Sequence, residues 1–199
     1  ETIYEEKNMS LTRDSRKVWE AMDAALFPHH PYGTQTVLGT QEHLKNPSIT
    51  NVKNYHKTYY VPNNMAVCVS GDFEPDEMVA TIEKYFGDMQ PNPNLPKLHF
   101  EPEQPITTPV VKEVYGLEAA NVMLGWRLPG ATDPSTDVAN IVGSVLYNGQ
   151  AGLIDLDLNQ QQKVLSAYGY ASSQPDYGTF LVAGRPKAGQ SLDEVRDML

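Results

Sequence analysis

The chain has 199 residues, 40% of them hydrophobic, enough to build a core in one large domain or two small ones. Its 25 Asp and Glu outnumber 15 scattered Lys and Arg, for a formal charge of -10, which argues against a nucleic-acid partner because phosphate binding needs clustered cations. No apolar run is long enough to span a bilayer, and the composition leaves a cytoplasmic or a bacterial periplasmic setting equally open.

Glu1 to Asn8 reads as the tail of a helix, and Ser10 to Phe27 as a helix whose Leu11, Val18, Trp19, Met22 and Leu26 share one face. Pro28 breaks that pattern, and His29-His-Pro-Tyr-Gly33 is a loop by its proline and glycine. Thr40 is placed to cap a short helical turn through Leu44. Thr50 is placed to cap a helix with a stripe of Ile49, Val52, Tyr55 and Tyr59. Pro62 ends that helix, since it lacks an amide hydrogen, and Asn63 and Asn64 suit a turn.

Met65 to Val69 is a short apolar run bounded by turn residues, the pattern of a fully buried strand. The single cysteine, Cys68, is therefore expected to be a buried, inert thiol. Pro75 suits the first turn of a helix with Met78, Val79, Ile82, Tyr85 and Phe86 facing inward. Gly87 is expected to close that helix in a left-handed cap.

Residues 91–109 are punctuated by prolines and read as a linker between an N-terminal part, 1–90, and a C-terminal part, 110–199. Beyond it, Val110 to Tyr115 and Ala119 to Leu128 are expected as strands. A helix from Thr136 or Asp137 turns Val138, Ile141, Val142, Val145 and Leu146 inward, and Asn148-Gly149 ends it. Gly152 to Leu165 reads as a second helix, and Ser166 to Ser173 and Thr179 to Gly184 as strands. Ser191-Leu-Asp-Glu194 has capping-box spacing, with too little chain after it for the helix to bury its face.

The residues with chemical potential are few. His29, His30, His43, His56 and His99 form no close pair with an intervening glutamate, so the three convergent ligands of a catalytic zinc are missing. Glu1, Glu5 and Glu6 form a charged helix face from which one carboxylate could reach a cation. Ser70 lacks the preceding glycine of a nucleophile elbow. Gly149-Gln-Ala-Gly152 is a weak candidate for an anion site, better explained by capping and close packing.

Several pieces occur in a telling order: Glu1-Thr-Ile-Tyr-Glu-Glu6, Pro28-His-His-Pro-Tyr-Gly33, Leu38-Gly39, Tyr59-Tyr-Val-Pro-Asn-Asn-Met65, Gly71-Asp72 and Tyr85-Phe-Gly87. Together they resemble the pitrilysin/insulinase-like zinc metallopeptidases, which include the mitochondrial processing peptidases. The part after the linker resembles the family's next structural repeat, although Leu153 and Ile154 stand where relatives carry a Ser-Arg-Leu helix start. The resemblance implies an internal fragment of a longer protein, with an α+β fold of two truncated repeats, each a mixed sheet with helices packed on one face.

Further implications concern activity. The family's active half carries His-x-x-Glu-His, two zinc-binding histidines and a water-activating glutamate, and that motif is absent from these residues. Its third zinc ligand, a glutamate on a later helix, corresponds to Glu6. The parent would be a zinc metalloendopeptidase taking peptides or unfolded polypeptides into a closed chamber, with a second half or partner subunit completing it. The segment alone would hold no zinc and supply no catalytic residue. The rival implication is a non-catalytic homologue, a structural or peptide-binding subunit.

Overall fold

A computed structural model describes residues 1–199, which divide into two compact units. One comprises Glu1–Asn8 and Leu38–Glu101, the other Met9–Val37 and Pro102–Leu199. The opening helix α1, Thr2–Leu11, contributes its first turns to one unit and its last residues to the other.

The unit built mainly from Leu38–Glu101 is helical, with α4 (Gln41–Lys45), α5 (Ile49–Tyr59) and α6 (Pro75–Phe86). Thr40 caps α4 as expected, its hydroxyl accepting from the His43 amide. Ser48 rather than Thr50 caps α5, its hydroxyl accepting from the Asn51 amide. After α5 the chain makes a 3-10 turn at Pro62–Asn64. The Asn64 amide group donates to the Tyr59 carbonyl at 2.9 Å, and Asn63 exchanges hydrogen bonds with the Asn92 backbone at 2.8 and 2.9 Å. Short amide side chains thus hold the turn, as their chemistry predicts.

The expected buried strand at Met65–Val69 is corrected. Those residues enter no ladder, and Met65, Val67, Val69 and Cys68 are exposed. An apolar run becomes a buried strand only when neighbours pair with both its edges and cover its faces, and none of the 199 residues does so here. The stripes of α5 and α6 share this state: Ile49, Val52, Tyr55, Val79, Tyr85 and Phe86 are exposed, and only Met78 and Ile82 are half-buried on α6. Among the buried apolar side chains, Val61 alone lies in this unit. Gly87 adopts right-handed helical angles rather than a left-handed cap, because the chain continues its turn until the Met89 amide bonds the Phe86 carbonyl.

The other unit carries the core. The long helix expected from Ser10 breaks at Thr12–Arg13, where the Thr12 hydroxyl donates to the Met9 carbonyl, and restarts as α2, Asp14–Leu26. A single turn, α3 (Pro31–Thr34), follows. Three antiparallel strands come later: β1 (Val122–Pro129), β2 (Ser166–Ser173) and β3 (Tyr177–Arg185), ordered β1-β3-β2. The strand expected at Val110–Tyr115 is not formed. The register sets Trp126 opposite Phe180, and Ala171 opposite Phe180 on the other side.

Strand alternation then decides what each sheet face meets. A Cβ added at Gly125, on one face, would run into Met22 of α2. On the opposite face, Gly184 lies under Val195 and Gly169 lies beside Ile154. Helices therefore cover both faces, where the sequence reading placed them on one face of a mixed sheet. The core joins Ile154, Leu158, Val164, Ala167, Val182 and Val195, with Leu181 fully buried.

Helix α7, Ser135–Leu146, sits on β2 through Gly143, where an added Cβ would lie 3.4 Å from the Ala171 nitrogen. Its buried positions are Thr136 and Gly143. Of the expected inward residues, Leu146 is half-buried against the core, whereas Val138, Ile141, Val142 and Val145 are exposed, because the backbone approaches the sheet through its smallest side chains. The segment after it is a π-helical turn, Asp155–Asn159, rather than a long α-helix. There the Asn159 carboxamide donates to the Ala167 carbonyl at 2.8 Å and accepts from the Ala167 amide at 2.7 Å. The last helix, α8 (Leu192–Met198), has the full capping box, and Val195 is buried, contrary to the expectation of an uncovered face.

Hydrogen exchange separates the two units. Amides at Ala66–Val69 should exchange at nearly the rate of unstructured chain, and those at Leu181–Ala183 should be strongly protected. Protection at Val67 and Val69 equal to that of Leu181 would contradict the unpaired state of this run.

Candidate functional site

The candidate zinc ligand, Glu6, lies on α1 with its side chain exposed, as does Glu5, and Glu1, just before the helix, is exposed too. Glu5 accepts a long hydrogen bond from Asn8 at 3.5 Å. No group of three His, Cys, Asp or Glu side chains converges among these residues. A zinc site needs three or four preorganised donors, so one exposed carboxylate does not by itself fit the ion.

The histidines are also dispersed. His56 stacks on Tyr60 with ring centroids 4.5 Å apart, and His99 stands 3.9 Å from Glu101 at the surface. Only His29 and His30 enter a polar cluster, whose centre is a residue that the sequence reading overlooked, Glu103.

Glu103 comes from the proline-rich stretch, yet its side chain is 1% exposed. Its carboxylate accepts from the His29 and His30 amides, both at 2.7 Å, and lies 3.2 Å from His29 Nδ1. Arg127 of β1 stands 3.7 Å away, and its guanidinium donates to the carbonyls of Leu26 and Gln104 and lies over the Tyr177 ring. The Glu103 amide in turn donates to the Tyr177 hydroxyl at 2.8 Å. His30 is 2% exposed, edge-on to Tyr32 and Tyr177, with Nε2 3.6 Å from Asp176. The Tyr32 hydroxyl reaches the same carboxylate at 3.4 Å.

Local sequence explains this corner. Pro28 and Pro31 end α2 and start α3, leaving the amides of His29 and His30 without helical acceptors. A Cβ at Gly33 would collide with the carbonyl oxygens of Asp23 and Phe27, so the turn requires glycine. Burial pushes the Glu103 pKa up, but the two amides and the His29 ring outweigh it and hold the carboxyl below its ordinary range. The charged residues are consumed by one another and by backbone groups, so the arrangement anchors the chain and offers no open coordination position. In the sequence Glu103 is one of two acids flanking Pro102, and its partner Arg127 lies at a sequence separation no local pattern reveals.

The weak anion-site candidate is resolved similarly. The turn Asn148–Gly152 directs the amides of Asn148, Gly149 and Gly152 at Asp155 Oδ2, at 3.0, 3.0 and 3.1 Å. Asp155 is buried, which raises its pKa, but the three amides and Asn159 lower it further than burial raises it. The turn thus holds the chain's own carboxylate. Beside it, Asn140, Ile141, Ser144, Val145, Asn148, Ala151 and Leu153 line an open groove of about 550 Å³.

Comparison with known proteins gives these sites a context. A family model described as the peptidase M16 inactive domain matches residues 48–199. The uncharacterized zinc protease YmxG of Bacillus subtilis is 25% identical over 190 residues, covering 94% of this chain and 45% of that protein. The zinc protease PqqE of Helicobacter pylori is 23% identical over 167 residues, covering 79% of this chain and 36% of its own length. A solved protease structure from Helicobacter pylori aligns with a TM-score of 0.85 at 18% identity, over 99% of this chain and 48% of that one, a likeness of fold. The chain therefore spans less than half the length of these proteins.

The Glu103 anchor yields a measurable consequence. Glu103→Ala leaves two amides and Arg127 short of an acceptor and should cost about 1–3 kcal/mol in urea unfolding at neutral pH. The carboxyl is depressed in the folded state, so its stabilisation is complete above the unfolded carboxylate range and disappears as pH falls through the folded value. The gap between wild type and variant should therefore narrow on acidification. A gap that widens towards acid pH would refute this assignment.

Proposed function

Because the chain belongs to the peptidase M16 family, we propose that it is part of a zinc-dependent metalloendopeptidase acting on peptides or unfolded polypeptides, with Glu6 as one of three protein zinc ligands. The observation that carries this reading is the match of residues 48–199 to the family, beside relatives named zinc proteases. Glu6 stands on α1 with an unobstructed carboxylate, open to donors from elsewhere in the parent protein. When zinc is held by two imidazoles and a carboxylate, it lowers the pKa of its bound water towards about 7 and polarises a carbonyl. No catalytic step is assigned to the 199 residues themselves.

In this reading the chain comprises the end of a catalytic repeat, 1–90, a proline-rich linker, 91–109, and the beginning of a non-catalytic repeat, 110–199. The series of prolines supports the division. The non-catalytic repeat would shape the wall of a chamber that admits extended chains. No helix is long and apolar enough to cross a membrane.

A second reading, a non-catalytic subunit that binds peptides or a partner, is favoured by the matched family description, that of an inactive domain. The two readings part at Glu6. In the full-length parent, Glu6→Gln should lower zinc content and peptidase activity at least about tenfold, since a carboxylate ligand is replaced by a weak neutral donor. Unchanged zinc content would remove Glu6 from the site. The 199-residue chain alone should show no chelator-sensitive cleavage of an unstructured peptide, and such cleavage would overturn the assignment of its missing ligands to the rest of the parent.

A further inference from the structure

Asn148-Gly149 is the single Asn-Gly pair in the chain. Such a pair reacts with itself: the glycine nitrogen loses its proton and attacks the asparagine Cγ, ammonia leaves, and a cyclic imide remains. Water then opens the imide to aspartate or isoaspartate. The only co-reactant is water, and the balance is asparagine plus water to the acid plus ammonia. Glycine permits it because no side chain shields the attacking nitrogen. Asn148 and Gly149 are both exposed, so water reaches them.

The fold restrains each reacting atom. The Gly149 amide donates to Asp155 at 3.0 Å, so its deprotonation would set an anion against a carboxylate. The Asn148 amide donates to the same oxygen, which fixes the backbone on the other side of the carboxamide. Asn148 Oδ1 accepts from the amides of Gln150 and Ala151 at 3.0 and 2.9 Å. Its Nδ2 donates to the Ser144 carbonyl at 3.0 Å. Cγ is thereby held on the far amides of the turn and cannot swing onto the Gly149 nitrogen.

We propose that Asn148-Gly149 is a latent deamidation site, kept closed by Asp155 and converted only when the Asn148–Asp155 turn opens. Conversion is one-way. A carboxylate at position 148 would face the Ser144 carbonyl oxygen to which the amide now donates. The isoaspartate form would add a methylene to the backbone between two amides that now share one acceptor. Asn148 also lines the groove with Ile141, Val145 and Leu153, so the reaction places a negative charge at the rim of an apolar surface.

The test incubates the full chain at mildly alkaline pH and follows Asn, Asp and isoaspartate at position 148 by peptide mapping. Conversion in the folded chain should be at least about tenfold slower than in the same chain unfolded in urea, because it must wait for local opening. Asp155→Asn, which keeps the shape and removes the charge, should convert faster than wild type while hydrogen exchange at β3 stays native. Equal rates in folded and unfolded wild type would overturn the proposal. So would wild-type slowness in Asp155→Asn with β3 intact. Should that variant lose the β3 protection, the wild-type comparison decides alone, since it needs no substitution.

Discussion

Strand β3 is the constraint on which the larger, sheet-containing unit depends. It pairs with β1 on one edge and β2 on the other, and Leu181 at its middle is fully buried. Elements that touch this sheet acquire burial: Met22 and Leu26 on one face, Ile154 and Val195 on the other. Elements of the other unit have no comparable centre, and their apolar stripes remain open. The difference is one of long-range pairing, because the two regions have similar apolar patterns.

Local chemistry was readable from the sequence where one segment carries the whole signal. Pro75 at a helix start, Thr40 as a cap and the Ser191–Glu194 box all behave as short-range rules require. Strands β2 and β3 also form where their runs are expected, β2 at Ser166–Ser173 and β3 at Tyr177–Arg185 around the expected Thr179–Gly184. The run Met65–Val69 shows the limit, since its pattern specifies an extended core strand and says nothing about whether its partners are present. On α7 the periodicity correctly gave a helix, but of its expected inward face only Leu146 meets the core, because Gly143 decides how closely the backbone meets Ala171. A small residue has no hydrophobic signal, yet it sets the packing.

Both polar centres follow one principle. Glu103 and Asp155 are buried carboxylates whose main partners are backbone amides freed by a proline-bounded corner or a glycine-rich turn. Burying a charge is tolerated when such donors surround it, and the depressed acidity of both groups records that. Neither residue was legible as important, because each has a second acid two residues away, Glu101 and Asp157, and no local pattern marks which one is buried. Glu6 is the opposite case: recognisable by family resemblance, and without partners to fix its role among these residues.

The carboxamide of Asn159 has a consequence for association between molecules. By bonding both the amide and the carbonyl of Ala167, it stands in for one residue of a neighbouring strand at the outer side of β2. An incoming chain cannot zip along that border from its beginning; it must start beyond Ala167 and find a shorter run of open backbone. A single side chain thereby shortens the template on which copies could stack into fibrous aggregates.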